Sequence, residues 1–157
     1  MCFSFCKRKY TERELFSKYT IDNTKKFEIN GLQKCKVVSV YDADTLTIIL
    51  PIHNHIYQWR CRLLNIDGAE IRTKNKKEKK VGIDGRNYLR SLLQNKECWI
   101  DCNGWDKYGR LLATFYLTKE DYLTGKWNKS INQKIINLQF AYFYDGKKKT
   151  SFDEWYK

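Results

Sequence analysis

The residues best suited to chemistry in this sequence are four carboxylates at the ends of apolar, β-type runs. Asp42 and Asp44 follow one run, and Asp67 and Glu70 follow another. Carboxylate oxygens suit a hard cation such as Ca²⁺ or Mg²⁺, and a carboxylate beside such a cation can act as a base toward water. The pattern therefore predicts a metal site with an adjacent general base.

Two arginines accompany these acids. Arg62 lies on the run that leads to Asp67, and Arg110 ends an Asp-Lys-Tyr-Gly-Arg segment at residues 106–110. The planar guanidinium of arginine pairs with two phosphate oxygens at once. Acids for a metal ion and a base, with arginines for a phosphate, indicate phosphodiester hydrolysis.

Five runs rich in β-branched and aromatic residues are the predicted strands that position these side chains. They are residues 36–41, 45–50, 56–64, 97–102 and 111–117. Turn-type residues separate the runs. His53 and His55 in one of these turns lack the further ligands of an ordinary zinc site, so we expect them to face solvent.

Helical spacing of apolar residues predicts two helices beside the strands. The first covers residues 84–93, with Asp84 as the candidate N-cap. The second covers residues 131–140, with its apolar face made by Ile131, Ile135, Ile136 and Leu138. Five strands with two or three helices fit a five-stranded OB-fold barrel of the α+β class.

Residues 72–80 contain six basic residues and one acid without apolar periodicity. This pattern predicts a mobile loop. As a functional element, it would attract a nucleic-acid strand toward the acids. The alternative is a solvated loop without a partner.

Composition favours one folded domain with a polyanionic partner. The chain has 157 residues, 42% of them hydrophobic, and a formal net charge of +12. Such a charge excess raises the local concentration of nucleic acid, although it can also serve solubility alone. We expect a monomer that binds nucleic acid and prefers single strands, because an OB groove follows one backbone and stacks bases on aromatic side chains.

The six cysteines do not indicate a disulfide framework. The N-terminus lacks the hydrophobic region of a signal peptide, and no run approaches the length of a membrane span. We therefore expect a cytoplasmic, reduced protein without a transmembrane segment. Four cysteines are expected to be buried in strands, namely Cys35, Cys61, Cys98 and Cys102.

The three motifs around the acids and arginines give the chain a resemblance to a known family. Residues 42–45 (Asp-Ala-Asp-Thr), 62–70 (Arg-x4-Asp-x-x-Glu) and 106–110 occur in the order found in staphylococcal nucleases (thermonucleases). The resemblance runs from Cys35 to about Gly146. It implies a nuclease that cleaves DNA and RNA and leaves 3′-phosphate ends.

The resemblance also implies Ca²⁺ as the cofactor. Asp44 and Asp67, with the backbone carbonyl of Gly68, would be the metal ligands. Asp42 and Thr45 would orient these ligands without binding the ion.

The remaining motif residues would act on the nucleic acid. By resemblance, Glu70 would activate the attacking water, while Arg62 and Arg110 would hold the phosphate during catalysis. Lys107 and Tyr108 would bind a neighbouring phosphate and nucleotide of the substrate.

Two positions depart from the family pattern. The family usually has glycine at the position of Ala43, and alanine there would cost about 1 kcal/mol if the corner requires a positive φ. Gly68 and Ala69 stand where many relatives have Thr-Pro or Ala-Pro. Loss of proline would free the turn that aims Glu70.

Residues 1–33 precede the expected nuclease domain at 34–157. Thr11 and Glu14 fit a capping box that opens a short helix ending near Tyr19. Cys2 and Cys6 precede a basic patch and would suit acylation as a membrane tether. The alternative is a tail whose cysteines have no function. At the other end of the chain, Trp155 is predicted to dock on the body of the domain.

A non-catalytic OB-fold module that binds nucleic acid is the competing function. A membrane-tethered scaffold is a third, resting on the two N-terminal cysteines alone. A binding module needs basic and aromatic residues but no base beside a carboxylate pair. The presence of Glu70 with both arginines therefore favours an enzyme.

Overall fold

Seven strands and five α-helices form residues 11–157, the part of the chain that the computed structural model describes. The strands are β1 (Asn30–Val40), β2 (Thr45–Ile52), β3 (His55–Leu63), β4 (Ile66–Gly68), β5 (Glu97–Trp105), β6 (Leu111–Tyr116) and β7 (Ala141–Phe143). The helices are α1 (Glu12–Lys18), α2 (Lys76–Leu93), α3 (Lys119–Gly125), α4 (Ile131–Asn137) and α5 (Phe152–Trp155). A 3-10 helix covers Lys126–Lys129.

Five of the strands close into a barrel in the order β1-β2-β3-β6-β5. Strands β3 and β6 are parallel, and the other neighbours are antiparallel. β-branched and aromatic residues alternate toward the interior, where they form one core with Val37, Ile48, Leu63, Ile100 and Phe115 at its centre. This architecture confirms the predicted five-stranded OB-fold.

Apart from shifts of up to three residues at other strand ends, the strands differ from the prediction in two respects. Strand β1 begins at Asn30, because its first residues pair along β5 as far as Asn103. The short strands β4 and β7 pair with each other and were not predicted. Each has three residues, too few for an alternating pattern to be recognised in the sequence.

The prediction of a mobile loop at residues 72–80 was wrong for its second half. Helix α2 begins at Lys76, and the Asn75 side chain accepts hydrogen bonds from the backbone N–H groups of Lys77 and Glu78. Lysine and glutamate are good helix formers, so the turn needs no apolar residue to be helical. Asp84 is therefore not the N-cap; it lies inside the helix and pairs with Lys80 at 2.9 Å.

Helix α2 lies against the segment that carries Glu70. A Cβ added to Gly82 would stand 2.5 Å from the carbonyl oxygen of Ala69. Only glycine permits this close approach. The helix backbone therefore fixes the position of the residue directly before Glu70.

Helix α4 ends at Asn137, earlier than predicted, and its buried face differs from the expected one. Ile131 and Ile135 are buried as predicted, whereas Leu138 is 43% exposed because it follows the last helical turn as the C-cap. Asn132 is fully buried instead. Its amide joins the helix to the ends of two barrel strands.

We expect Asn132→Ala to lower the free energy of unfolding by about 3 kcal/mol, because buried backbone groups lose their partners. The Asn132 Oδ1 accepts from the Phe115 N–H at 3.0 Å, and Nδ2 donates to the carbonyl oxygens of Leu64 at 2.9 Å and Ala113 at 3.3 Å. Urea denaturation measures the loss. The exposed Asn128→Ala is the control, and an equal effect of the two changes would contradict the structural role of Asn132.

Both ends of the described chain behave as predicted. Helix α1 has the Thr11–Glu14 capping box and ends before Tyr19. Trp155 docks as expected, since Phe152, Trp155 and Tyr156 pack on Ala69 and Val81. We call these three aromatic residues the C-terminal anchor.

The four strand cysteines are buried free thiols, as predicted. Burial raises the pKa of the Cys61 and Cys102 thiols. His53, in the turn after β2, and His55, the first residue of β3, are both exposed. The proposed acylation of Cys2 and Cys6 lies outside the described residues. None of the helices within residues 11–157 has the length and apolar character to cross a membrane.

Candidate functional site

The corner between β1 and β2 turns Asp44 toward the interior. The Asp42 Oδ1 accepts hydrogen bonds from the backbone N–H of Asp44 at 3.0 Å and of Thr45 at 2.6 Å. This local bonding closes the turn. Asp44 is consequently 5% exposed, with its Oδ1 accepting from the Thr45 hydroxyl at 2.7 Å.

Strand β4 brings Asp67 beside this corner. The backbone N–H of Gly68 donates to Asp44 Oδ2 at 3.0 Å, which ties the two segments together. Asp67 is also 5% exposed, and its Oδ2 accepts from the Tyr142 hydroxyl on β7 at 3.2 Å. The two aspartates predicted as metal ligands are therefore neighbours.

Arg62 connects the two aspartates. Its Nη1 is 3.1 Å from Asp44 Oδ2, and its Nη2 is 2.5 Å from Asp67 Oδ1. Burial alone would lower the pKa of Arg62, but the charges of Asp44 and Asp67 outweigh it and raise the pKa. Without a bound substrate, the Arg62 guanidinium pairs with the two aspartates and not with a phosphate. The sequence did not indicate this pairing.

The two departures from the family pattern fit each other. Ala43 is fully buried and is not among the residues with positive φ, so the expected strain is absent. A Cβ added to Gly68 would stand 3.0 Å from the Ala43 Cβ. The methyl group at 43 thus uses the space that glycine leaves at 68.

Glu70 lies at the open end of the site with its side chain 58% exposed. The backbone N–H of Glu70 donates to Glu78 Oε1 on α2 at 3.3 Å. The preceding Ala69 N–H donates to the carbonyl oxygen of Phe140 at 3.0 Å. Two successive backbone N–H groups therefore hold the chain in place at a carboxylate that water can reach.

Arg110 is positioned by the turn that precedes β6. The Asp106 Oδ1 accepts from the backbone N–H groups of Tyr108 and Arg110, and its Oδ2 lies 2.6 Å from Arg110 Nε. Burial works against the Asp106 charge, but the bonds from Arg110 and Tyr108 lower its pKa. Arg110 Nη1 also donates to the Thr45 hydroxyl at 3.2 Å, which places the guanidinium beside the acids.

All the predicted site residues except Asp67 line two adjoining clefts. Asp67 is joined to them through its contacts with Arg62 and Lys149. The acid cleft, of about 180 Å³, is lined by Asp42, Asp44, Thr45, Arg62, Gly68, Ala69, Glu70 and Arg110. The wide groove, of about 480 Å³, shares both arginines with it and adds Lys107, Tyr108, Tyr144 and Lys149 among others. Tyr108 is 72% exposed, and its ring is in contact with the cations of Lys107 and Arg110.

The donor types of the acid cleft fit a hard cation. Its wall offers carboxylate and backbone oxygens and no sulfur or imidazole, as Ca²⁺ prefers. Burial and the charge of Asp44 raise the pKa of Asp42 to about 7. Within residues 11–157, however, no three acidic, His or Cys side chains are grouped closely enough to hold a metal ion as they stand. Asp44 is paired with Arg62, and Asp67 is paired with Arg62 and Lys149.

Sequence reasoning missed the contribution of residues 142–149. Tyr142 contacts Asp67, Tyr144 lines the wide groove, and Lys149 Nζ lies 3.0 Å from Asp67 Oδ1. The available signal was the two tyrosines followed closely by three lysines in this segment, because nucleic-acid sites combine these residue types.

Residues 60–156 match the model of a protein family described as Staphylococcal nuclease homologue. The matched range includes Arg62, Asp67, Glu70 and Arg110, and it begins after the corner that holds Asp42 and Asp44. A search among curated proteins gave no match.

Proposed function

Because this chain belongs to the staphylococcal nuclease homologue family, we propose that it is a calcium-dependent nuclease that hydrolyses phosphodiester bonds of DNA and RNA and leaves 3′-phosphate ends. One observation carries the proposal. The acid cleft brings the carboxylates of Asp42, Asp44 and Glu70 together with the guanidinium groups of Arg62 and Arg110. Such a mixture suits a metal ion, a base and a phosphate, whereas a binding surface needs only the cations.

Metal binding falls to the buried acids in this proposal. Asp44, Asp67 and the Gly68 carbonyl would hold Ca²⁺, while Asp42 and Thr45 hold the corner in shape. The bound ion would supply positive charge to the phosphate and lower the pKa of a coordinated water.

Glu70 is the proposed general base. Its carboxylate is solvent-accessible, while its backbone is fixed by Glu78 and the Ala69–Phe140 hydrogen bond. A base in this position can remove a proton from the water that attacks phosphorus. Negative charge then accumulates on the phosphate oxygens, where preorganised donors stabilise the transition state.

Arg110 and Arg62 are the proposed donors to these oxygens. Arg110 is aligned by Asp106 and Thr45, so it loses little freedom when it binds a phosphate. Arg62 has to share its fork between the aspartates and the substrate. The groove beside them would hold the rest of the strand, with Lys107 on a neighbouring phosphate and Tyr108 under a base.

A cleavage assay with defined substrates tests this function. Single-stranded DNA, duplex DNA and RNA are incubated with Ca²⁺, with Mg²⁺ or with chelator, and product lengths are measured. We expect cleavage in Ca²⁺, little in Mg²⁺, and faster cleavage of single strands, because a flexible oxygen site suits the larger ion and an OB groove follows one backbone. Full activity in chelator contradicts the metal assignment, and binding without cleavage in every metal supports the binding-module alternative.

Arg110→Lys should reduce turnover about 10²-fold and change oligonucleotide affinity far less. Lysine keeps the charge but loses the planar fork that Asp106 aligns. Single-turnover kinetics and fluorescence anisotropy measure the two effects. Arg60→Lys, at an exposed position of β3, is the matched control. Equal losses of affinity and turnover would show that Arg110 only binds substrate.

A further inference from the structure

Lys149 places an ammonium group at the proposed metal ligands. Its Nζ lies 3.0 Å from Asp67 Oδ1 and 3.6 Å from Glu70 Oε1. The side chain reaches the site from the C-terminal segment, beyond the last strand. One lysine therefore contacts both a proposed ligand and the proposed base.

The surrounding chain holds Lys149 in this position. The backbone N–H of Thr150 donates to the Tyr142 hydroxyl at 2.9 Å, and that hydroxyl contacts Asp67 Oδ2. Phe152 of the C-terminal anchor follows shortly after and packs against Ala69. The contacts on both sides of Lys149 direct it toward the carboxylates.

Three side chains of the protein contact the Asp67 carboxylate, and they differ in how easily they can move away from it. Arg62 is largely buried and also holds Asp44, and Tyr142 is fixed by Thr150. Lys149 is 55% exposed and has solvent into which it can move. A second cation that needs Asp67 would displace Lys149 before the other two.

We propose, on the basis of the function above, that Lys149 determines the metal affinity of the site by occupying the Asp67–Glu70 pair whenever no divalent ion is bound. An ammonium group and a divalent cation that bind the same carboxylate are close enough to repel each other strongly. Metal binding therefore requires Lys149 to withdraw. The site fills only at Ca²⁺ concentrations high enough to offset the lost ion pair.

Calorimetric titration with Ca²⁺ in the absence of nucleic acid tests the proposal. We expect Lys149→Met to lower the Kd for Ca²⁺ about tenfold, because the competing charge is removed. Lys149→Arg keeps a cation and should bind Ca²⁺ like the parent. Lys147→Met is the matched control, since the Lys147 amine pairs with Asp145, 3.3 Å away, instead of the acid cleft. Circular dichroism verifies that each variant is folded.

The outcomes separate this inference from the proposed nuclease function. Equal or weaker Ca²⁺ binding by Lys149→Met, or tighter binding by Lys147→Met as well, overturns the inference even if all variants cleave DNA. Tighter binding confined to Lys149→Met supports it, even if no variant cleaves and the proposed function fails. Absence of Ca²⁺ binding in every variant contradicts both. If Lys149→Met loses only oligonucleotide affinity, Lys149 is a phosphate contact and the inference is wrong.

Discussion

Glu70→Gln should lower single-turnover cleavage by about 10²- to 10⁴-fold while the protein still binds its substrate. Glutamine keeps the size and hydrogen-bonding reach of the side chain but cannot accept a proton at neutral pH. The backbone position should not change, because it depends on the Glu70 N–H and on Ala69. Removal of one negative charge beside an anionic strand should leave oligonucleotide affinity in Ca²⁺ unchanged or higher.

Glu120→Gln, at an exposed position of α3 outside both clefts, is the control for this change. It should cleave at the parent rate. A Glu70→Gln protein that also cleaves at the parent rate would show that Glu70 is not the base. A loss of binding equal to the loss of cleavage would assign it to substrate or metal binding instead.

Arg62→Met should lower the free energy of unfolding by about 3–5 kcal/mol in chelator. The change leaves Asp44 and Asp67, each 5% exposed, without the guanidinium that pairs with both. Ca²⁺ should restore part of the loss, because a bound cation neutralises the same carboxylates. Urea denaturation with and without Ca²⁺ measures both effects.

Arg60→Met on the same strand is the matched control, since Arg60 is exposed. It should change stability by less than about 0.5 kcal/mol. If Arg62→Met is as stable as this control while turnover collapses, Arg62 acts on the phosphate alone. The ion pairs of Arg62 with the two aspartates would then contribute nothing measurable to the free energy of unfolding.

The order of the three motifs predicted that the acids and arginines converge, and short-range contacts then orient single side chains. Asp42 closes its own turn on Thr45, and Asp106 holds Arg110 four residues later. Such contacts join residues only three or four positions apart, so the local sequence indicates them. The five long strands were predicted for the same reason, since their side-chain alternation is local.

The start of α2 was mispredicted because apolar periodicity does not mark it. The helix begins in a charged stretch, where the Asn75 cap and the helix propensity of lysine replace an apolar face. Its apolar pattern starts only at Val81, where burial begins. Both Asn75 and the (i, i+4) pair of Lys80 and Asp84 were visible signals.

The contacts of Lys149 and Tyr142 with Asp67 could not be predicted, because only tertiary structure brings them together. They depend on the pairing of β7 with β4, two three-residue strands that leave no pattern in the sequence. The fit of Ala43 against Gly68 likewise arises only in the tertiary structure, where two distant segments meet. In the sequence, the two residues are separate departures from the family pattern, because nothing local links position 43 to position 68.

The central claim is that water attacks phosphorus at the acid cleft, and cleavage of single-stranded DNA in heavy-oxygen water tests it most directly. DNA has no 2′-hydroxyl and cannot be cut by the internal attack that breaks RNA, so an oxygen from water in the 3′-phosphate of a shortened strand identifies hydrolysis. We expect mass spectrometry to find one heavy oxygen in the 3′-phosphate of the products formed in Ca²⁺, and intact DNA in chelator. Full-length, unlabelled DNA that remains bound to the protein under every metal condition would contradict the claim.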